Sequence, residues 1–344
     1  MPEILIRREG LLGRITLNRP AVLNALSYPM CRALDAALCC WQQDEGVALV
    51  VIDASGARAF CAGGDIARLY AEATAGNFAH GQQFWRDEYR MNARIASYPK
   101  PVVSLMQGFT MGGGVGVGCH ASHRIVALST EIALPECGIG LVPDVGSSAL
   151  LARAPGRLGE YLATTGSRMG PADAIFAGFA DQFVPEADWP ALTTALASEG
   201  IAALAPFAKA PPPGHLPALL PEIERHFAGE TLADILRSLR SADTAFARET
   251  LVALARVSPL AAACAVEMQH RLGGAPTLAR ALELEYRFTF RAQAQSDFLE
   301  GIRAAVITKD HSPHWHHPDA SAVTTLDVAR MLMPLGADAL RLDD

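Results

Sequence analysis

Two glycine-rich loops and two carboxylates follow one another along this chain in an order that could support chemistry. The loops contain Gly63-Gly64 and Gly112-Gly113-Gly114, and Glu136 and Asp144 come after them, each preceded by proline. Each loop follows an apolar run, so it should present bare backbone N–H groups at the end of a strand. Two fixed N–H donors can stabilise the oxyanion formed from a carbonyl, and carboxylates can move protons beside it. The pattern predicts acyl chemistry.

Each of these features also has a purely structural explanation. A glycine triplet can be a tight turn that lets a helix pack close to a strand. Glu136 and Asp144 follow prolines, where acidic residues commonly occupy surface turns. A helix over Val115–Ser122 is predicted directly after the triplet, which would make the Gly113 N–H a natural donor at its start. The presence of both loops together favours the functional interpretation.

Several other kinds of site lack support in the sequence. A GxGxxG nucleotide motif would need glycine at 117 or 119, where Val117 and Cys119 stand. Gly-Lys-Ser/Thr, GxSxG and HExxH are not found. The segment His311-Ser-Pro-His-Trp-His-His317 has no accompanying set of carboxylates or thiolates, so we predict no metal site there.

The composition favours a small-molecule partner. The formal net charge is −7 over 344 residues, and no basic stripe interleaved with aromatics suggests nucleic-acid binding. The 7 cysteines are odd in number and lack CxxC spacing, which fits a reducing compartment. No apolar run reaches about 18 residues and no targeting segment is recognised, so we expect a cytoplasmic protein without membrane partners. A homo-oligomer remains open.

Strands alternate with helices in the first part of the chain, which predicts an α/β fold. Ile4–Leu17 has the pattern of a hairpin, and Ser27–Gln43 has apolar residues at helical spacing. The runs Val47–Ile52 and Val102–Met106 are predicted strands that lead into the glycine loops.

The second part of the chain is predicted to be mainly helical. Thr231, Ser258 and Thr277 are candidate N-caps for three helices. The Ala- and Pro-rich stretch around Pro211-Pro-Pro-Gly214 indicates a linker. We therefore predict a core over residues 1–200, a linker over 201–221 and a helical region over 222–344.

Three motifs together resemble the crotonase (enoyl-CoA hydratase/isomerase) superfamily. They are Leu17-Asn-Arg-Pro20 with Asn24-Ala-Leu26, Ala59–Ile66 and Gln107–Gly114. The resemblance implies a crotonase-like spiral of repeated ββα units with a helical C-terminal region. It also implies an acyl-CoA substrate and an oxyanion hole formed by the N–H groups of Gly64 and Gly113. No separate cofactor is expected, because coenzyme A is part of the substrate.

Further motifs resemble a hydrolase branch of this superfamily, which acts on 3-hydroxyacyl-CoA thioesters. They are Phe84–Tyr89, Pro135-Glu136, Pro143–Gly146 and the segment from Glu300 to Asp310. The expected substrate is 3-hydroxyisobutyryl-CoA, an intermediate of valine breakdown.

The resemblance also implies roles for individual residues. Glu136 and Asp144 would be catalytic, with Glu136 either a general base or a nucleophile, and Asp144 would orient the acyl hydroxyl or assist proton transfer. Substrate-binding positions would be Glu88, Ala25, Ala62, Asp65 and Ile66. Without the resemblance, Glu88 would be assigned to a solvated charged helix face.

Two alternatives stand beside the hydrolase prediction. A hydratase of this superfamily uses two glutamates, and the position of the first falls on Gly116 here. An enoyl-CoA hydratase or isomerase is therefore the second enzyme hypothesis, and a non-catalytic acyl-CoA-binding protein is the third. The chain departs from the hydrolase pattern at Ser147-Ser148, where glycine is more usual, which affects the expected acyl preference.

Overall fold

The computed structural model describes residues 2–273 and 276–342. The chain forms two compact units, each assembled from three separated segments. The sheet unit comprises Met1–Asp65, Asp87–Ala133 and Arg168–His215, and the helical unit comprises Ile66–Arg86, Leu134–Ser167 and Leu216–Asp344.

The predicted linker over 201–221 contains regular structure. A 3₁₀ helix spans Ile201–Phe207, and Leu216–His226 is an α-helix with Leu216 and Ile223 buried. The units also differ from the predicted division at residues 200 and 222, because the chain passes from one unit to the other several times. A domain boundary predicted from composition assumes that the chain passes from one unit to the other only once.

The sheet unit is built on parallel strands. Its strands are β1 (Ile4–Glu9), β2 (Leu12–Leu17), β3 (Leu49–Ala54), β4 (Ala59–Cys61), β5 (Val102–Met106), β6 (Phe109–Met111), β7 (His123–Val126), β8 (Glu131–Ala133) and β9 (Gln182–Phe183). A 6-stranded sheet has the order β1-β2-β3-β5-β7-β9, and a 3-stranded sheet has the order β4-β6-β8. The β1–β2 hairpin is antiparallel, as predicted, and all other pairs are parallel. From β3 to β9, successive strands alternate between the two sheets, which is the predicted repeat of two strands and a helix.

One hydrophobic cluster of the sheet unit lies on one face of the larger sheet. The strands contribute continuous apolar runs, as expected for parallel strands buried on both faces. Buried side chains from strands and helix form one cluster: Leu12, Leu49, Val51, Val103, Leu105, Ile125, Val184, Leu192, Leu196 and Leu204. Leu192 and Leu196 lie on the helix Trp189–Glu199, which packs over this face.

The helices follow the chain in the order α1 to α15. They are α1 (Tyr28–Gln42), α2 (Ile66–Thr74), α3 (Phe78–Ala96), α4 (Gly113–Gly118), α5 (Ser147–Leu151), α6 (Leu158–Thr165), α7 (Pro171–Phe176), α8 (Trp189–Glu199), α9 (Leu216–His226), α10 (Leu232–Arg240), α11 (Ala245–Leu254), α12 (Pro259–Leu272), α13 (Leu278–Gln295), α14 (Phe298–Ile302) and α15 (Thr325–Leu332). A π-helix spans Arg303–Ile307.

The predicted N-caps of the helical unit are confirmed. Thr231, Ser258 and Thr277 each accept a hydrogen bond from a backbone N–H in the first turn of α10, α12 and α13. These short polar side chains satisfy donors that a helix leaves without an intrahelical acceptor.

The helix after the glycine triplet differs from its prediction. Helix α4 begins at Gly113 and ends at Gly118, whereas the sequence predicted Val115–Ser122. Gly112 has φ +47° and ψ −122°, a conformation that only glycine adopts readily. A Cβ on Gly114 would collide with the carbonyl oxygen of Cys61 in β4. The glycines are therefore in the helix because α4 packs directly on the backbone of β4.

Among the described residues, no single helix has both the length and the apolar character needed to cross a membrane. The bent pair α11 and α12 does pass that test of length and composition.

Candidate active site

The sheet unit brings the two predicted N–H donors together. An ideal Cβ on Gly113 would lie 3.4 Å from the Gly64 nitrogen. Within the ranges that the structure describes, neither N–H donates to an acceptor on the protein. A pair of close, unused N–H groups is what an oxyanion hole requires.

Backbone pairing fixes the Gly64 loop. The Leu26 N–H donates to the Gly63 carbonyl at 2.8 Å, and the Asp65 N–H donates to the Leu26 carbonyl at 3.0 Å. The Ala62 N–H donates to the Leu23 carbonyl at 3.0 Å. Gly63 has φ +119°, outside the range of residues with a side chain. These hydrogen bonds use backbone groups of the residues on either side of Gly64, so the Gly64 N–H takes no part in the backbone pairing.

Arg19 joins two of the predicted substrate-binding positions. Its guanidinium donates to the Ala25 carbonyl at 2.8 Å and to the Asp65 carboxylate at 3.0 Å. Ala25, Ala62 and Asp65 are all partly exposed, so they can contact a ligand. The structure therefore gathers these three positions beside the first glycine loop.

Glu88 lies in the sheet unit on α3 and is 2% exposed. An ideal Cβ on Gly113 would be 2.8 Å from Glu88 Oε1, so the carboxylate sits against the second glycine loop. Burial raises the pKa of the Cys61 thiol to about 12, and the charge of Glu88 adds to this rise. The assignment of Glu88 to a solvated face is wrong. Neighbouring Asp87 accepts hydrogen bonds from the Tyr28 hydroxyl at 2.6 Å and from Arg32 at 3.2 Å.

Glu136 and Asp144 lie in the helical unit, and each is 4% exposed. Glu136 opens a 3₁₀ helix that ends at Ile139, with Pro135 at its N-cap. The Leu141 N–H donates to the Glu136 carbonyl at 3.1 Å, and the Ser147 N–H donates to the Asp144 carbonyl at 2.9 Å. The two carboxylates are buried and on ordered turns, which excludes the alternative of exposed surface turns.

Sequence reasoning missed Glu285, which contacts the turn after Asp144. Its Oε2 accepts the Gly146 N–H at 2.6 Å, and its Oε1 accepts the Ser148 N–H at 3.0 Å and contacts the Ser148 hydroxyl. Burial raises the pKa of Glu285 to about 8, and the charge of Asp144 contributes to the rise. A signal did exist, because helical spacing puts Glu285 on the same face as Ala281 and Phe288, both apolar.

The predicted site residues divide between the two units. The sheet unit contains six of them: Ala25, Ala62, Gly64, Asp65, Glu88 and Gly113. The helical unit contains Glu136, Asp144 and Ile66, which is partly exposed at the start of α2. Gly116 is buried within α4.

Hydrogen bonds from backbone N–H groups to carboxylates fix the histidine-rich C-terminal segment. The His314 N–H donates to Glu300 at 2.7 Å, and the His316 N–H donates to Asp297 at 2.8 Å. In residues 2–273 and 276–342, no three His, Cys, Asp or Glu side chains are arranged to hold a metal ion.

Comparison with known proteins gives one family and three activity names. A sequence profile of the enoyl-CoA hydratase/isomerase family matches residues 12–332. The chain is 38% identical to mitochondrial 3-hydroxyisobutyryl-CoA hydrolase of Bos taurus, covering 98% of this chain and 90% of the relative. It is 37% identical to the mitochondrial enzyme of the same name from Rattus norvegicus, covering 98% and 91%.

Two solved structures share the whole fold. A crystal structure of an enoyl-CoA hydratase from Rhodobacter sphaeroides 2.4.1 has a TM-score of 0.96 and 60% identity, covering 99% of this chain and 100% of that one. A carnitinyl-CoA dehydratase from Mycobacterium thermoresistibile has a TM-score of 0.95 and 39% identity, covering 100% and 99%.

Proposed function

The chain belongs to the enoyl-CoA hydratase/isomerase family, and from this premise we propose that it is a thioesterase that hydrolyses a 3-hydroxyacyl-CoA. The expected substrate is 3-hydroxyisobutyryl-CoA, which would place the reaction in valine catabolism. The named activity of the curated relatives, matched over nearly their full length, supports this proposal.

The observation that carries the proposal is the identity of the acidic residues. Gly116 is buried inside α4 and has no side chain, although one hydratase glutamate is expected at this position. Asp144 instead supplies a second buried acid in the unit that holds Glu136. An acid pair that lacks the glutamate for C=C hydration is better suited to chemistry at the thioester carbonyl.

Each residue has a definite task in the proposed reaction. The N–H groups of Gly64 and Gly113 hold the carbonyl oxygen as it gains negative charge. Glu136 either deprotonates the attacking water or attacks the carbonyl carbon itself, forming an anhydride that water then opens. Asp144 orients the acyl hydroxyl or assists proton transfer.

The balance of the reaction is the same for either role of Glu136. Water adds its oxygen to the carbonyl carbon, the carbon–sulfur bond breaks, and the thiolate of coenzyme A takes a proton. The products are the free 3-hydroxy acid and coenzyme A. Coenzyme A is part of the substrate, and the proposal includes no other cofactor.

Substrate binding is assigned to the remaining predicted positions. Glu88 and the partly exposed residues Ala25, Ala62, Asp65 and Ile66 are proposed to contact the substrate, with the last four along the adenine and pantetheine portion. The exposure of these four positions supports the assignment, because a ligand of this size needs accessible wall residues.

An enoyl-CoA hydratase is the second candidate function. The solved structure with 60% identity carries that name, and this observation favours the alternative. A non-catalytic acyl-CoA-binding protein is the third.

One enzyme preparation can distinguish all three functions. Release of free thiol from 3-hydroxyisobutyryl-CoA is measured beside the loss of enoyl absorbance from crotonyl-CoA. We expect rapid thiol release and very slow hydration, since the help of one acid–base group is worth roughly 100-fold or more. Fast loss of enoyl absorbance without thiol would establish the hydratase, and tight binding without either reaction would establish the binding protein.

A further inference from the structure

The turn that carries Asp144 contains one residue, Val145, in a backbone conformation that its side chain does not favour. Val145 has φ +57° and Gly146 has φ +83°. A β-branched residue in the left-handed region costs on the order of 1–3 kcal/mol, so surrounding contacts must hold it there. Helix α5 starts directly after this turn, and Gly146 at its N-cap position has no side chain to accept from the first turn.

Glu285 supplies the missing acceptors from 139 residues along the chain. The Gly146 N–H donates to Oε2 at 2.6 Å, and the Ser148 N–H donates to Oε1 at 3.0 Å. The Ser148 hydroxyl also contacts Oε1. Both carboxyl oxygens are therefore committed to residues 146–148, and the side chain is 0% exposed.

We propose that Glu285 is a positioning residue for Asp144, fixing the backbone of residues 144–148 and thereby the direction of the Asp144 carboxylate. The proposal rests on the catalytic role given to Asp144 above. Glu285 acts through the backbone of the turn. An apolar side chain at this buried position of the helix would cost less free energy than a carboxyl group, so packing of the helix does not by itself explain a glutamate here.

The pKa of Glu285 lies above the ordinary value of a glutamate. Burial raises the pKa of Glu285 to about 8, the charge of Asp144 contributes to the rise, and the hydrogen bonds from Ser148 and Gly146 oppose it. At neutral pH, Glu285 therefore still holds its proton. Above about pH 8, Glu285 itself becomes negatively charged, and it does so at the turn that carries Asp144.

The other charged groups near α13 have different partners. Helices α5, α12, α14 and α15 pack against α13, and α5 contains no ionisable residue. Arg86 of α3 also approaches α13, with its guanidinium 5.6 Å from the centre of the Tyr286 ring. The ionisable side chains of the other three pair elsewhere or are exposed: Glu267 with Arg271, His270 with Glu160, Glu300 with Arg303, Asp327 with Thr324, and exposed Arg330. Among these charged groups, Asp144 is the one whose charge contributes to raising the pKa of Glu285.

The test compares three variants of the full chain. Glu285→Gln keeps the shape of the side chain but places an amide NH₂ against an N–H donor. Ser148→Ala removes the hydroxyl and keeps both backbone bonds. Glu283→Gln is the matched control, because Glu283 is an exposed glutamate two residues away on the same helix.

The first readout does not depend on activity. In Glu285→Gln, backbone amide hydrogen exchange of Gly146 and Ser148 should accelerate by about 10-fold or more, while α10 and α12 exchange as in the parent. Glu283→Gln should leave all of these rates unchanged. Parent exchange rates at Gly146 and Ser148, or an equal acceleration throughout the helical unit, would overturn the proposal.

The second readout is the pH dependence of kcat with 3-hydroxyisobutyryl-CoA. We expect kcat of Glu285→Gln to fall on the order of 10-fold with little change in KM, since the turn loses its alignment. The parent should lose activity above about pH 8, and this limb should be absent from Glu285→Gln and retained in Glu283→Gln. In Ser148→Ala the limb should move to higher pH, because a hydrogen bond that lowers the pKa of Glu285 is gone.

The two proposals fail in different ways. A parent enzyme that releases no thiol would contradict the proposed function, and the exchange rates would still decide whether Glu285 holds the turn. A thioesterase whose kcat and pH limb are the same in Glu285→Gln as in the parent would contradict the role of Glu285 alone.

Discussion

At the scale of single residues, the absence of a side chain on Gly113 avoids two close contacts. A Cβ at this position would approach Glu88 Oε1 at 2.8 Å and the Gly64 nitrogen at 3.4 Å. Any larger residue would displace a buried carboxylate and crowd the neighbouring N–H donor. The glycine is therefore needed for the close approach of Glu88 and the Gly64 loop, whereas its N–H group is one that any residue except proline would supply.

Replacement of Gly113 tests the oxyanion hole. Gly113→Pro removes the N–H and should reduce turnover of the thioester on the order of 100-fold or more. Gly113→Ala keeps the N–H but displaces Glu88, so its loss should be smaller. Thiol release is the measurement, with circular dichroism to establish folding. A folded proline variant with near-parent turnover would remove Gly113 from the mechanism.

Replacement of the buried acids tests their proposed roles. Glu136→Gln and Asp144→Asn keep the side-chain shapes and delete the charges, so both should lower kcat, with Glu136→Gln falling roughly 100-fold or more. Glu88→Gln should act mainly through KM, because Glu88 is assigned to binding. Exposed Glu283→Gln serves as the control. Turnover of a 3-hydroxyacyl-CoA by Asp144→Asn at the parent rate would contradict the role of Asp144.

At the scale of elements, the start of α12 is tied to two other parts of the helical unit. Ser258 Oγ accepts the Ala261 N–H at 3.1 Å and donates to Asp297 at 2.5 Å, and the Ser258 N–H donates to the Cys137 carbonyl at 2.9 Å. The same carboxylate of Asp297 receives the N–H of His316. One cap residue thus links α12, the turn after Glu136 and the C-terminal segment.

The cap at Ser258 should contribute more to stability than an ordinary cap. Ser258→Ala removes the helix cap and a buried donor to Asp297, which should cost about 1–3 kcal/mol of unfolding free energy. Thr277→Ala removes an exposed cap of α13 and should cost about 1 kcal/mol. Urea denaturation of both variants measures the difference. Equal losses would show that the bond to Asp297 adds nothing.

At the scale of the whole molecule, the buried acid Glu285 makes folding depend on pH. Its pKa rises from the ordinary 4.5 to about 8 in the folded state, so the folded chain binds this proton more tightly than the unfolded chain. The contribution of this proton binding to the free energy of unfolding is fully present below about pH 4.5 and is lost as the pH rises to about 8.

This dependence can be isolated by difference. The unfolding free energy of the parent should fall relative to that of Glu285→Gln as pH is raised from 5 to 9, since the glutamine does not titrate. Urea denaturation at a series of pH values, with Glu283→Gln in parallel, measures the change. A constant difference between parent and Glu285→Gln over this range would show that Glu285 does not bind its proton more tightly on folding.

Local patterns were sufficient to predict much of the fold. The β1–β2 hairpin, the strand Val102–Met106 and the caps at Thr231, Ser258 and Thr277 are confirmed. Each depends on residues within a few positions of one another, where turn chemistry and side-chain periodicity act directly. Cytoplasmic location and oligomeric state stay predictions.

The sequence by itself determined the order of the glycine loops and acids, which led to the prediction of acyl chemistry and to the family, and the family is confirmed. Those signals depend on residue type and short spacing, which folding does not change. Only the tertiary structure decided that Glu88, Glu136 and Asp144 are buried and that α4 packs on the backbone of β4. It also decided that Glu285 accepts hydrogen bonds from a turn 139 residues away in the chain. Burial and distant contacts depend on how elements pack, and no local pattern records which donors a buried carboxyl group will meet.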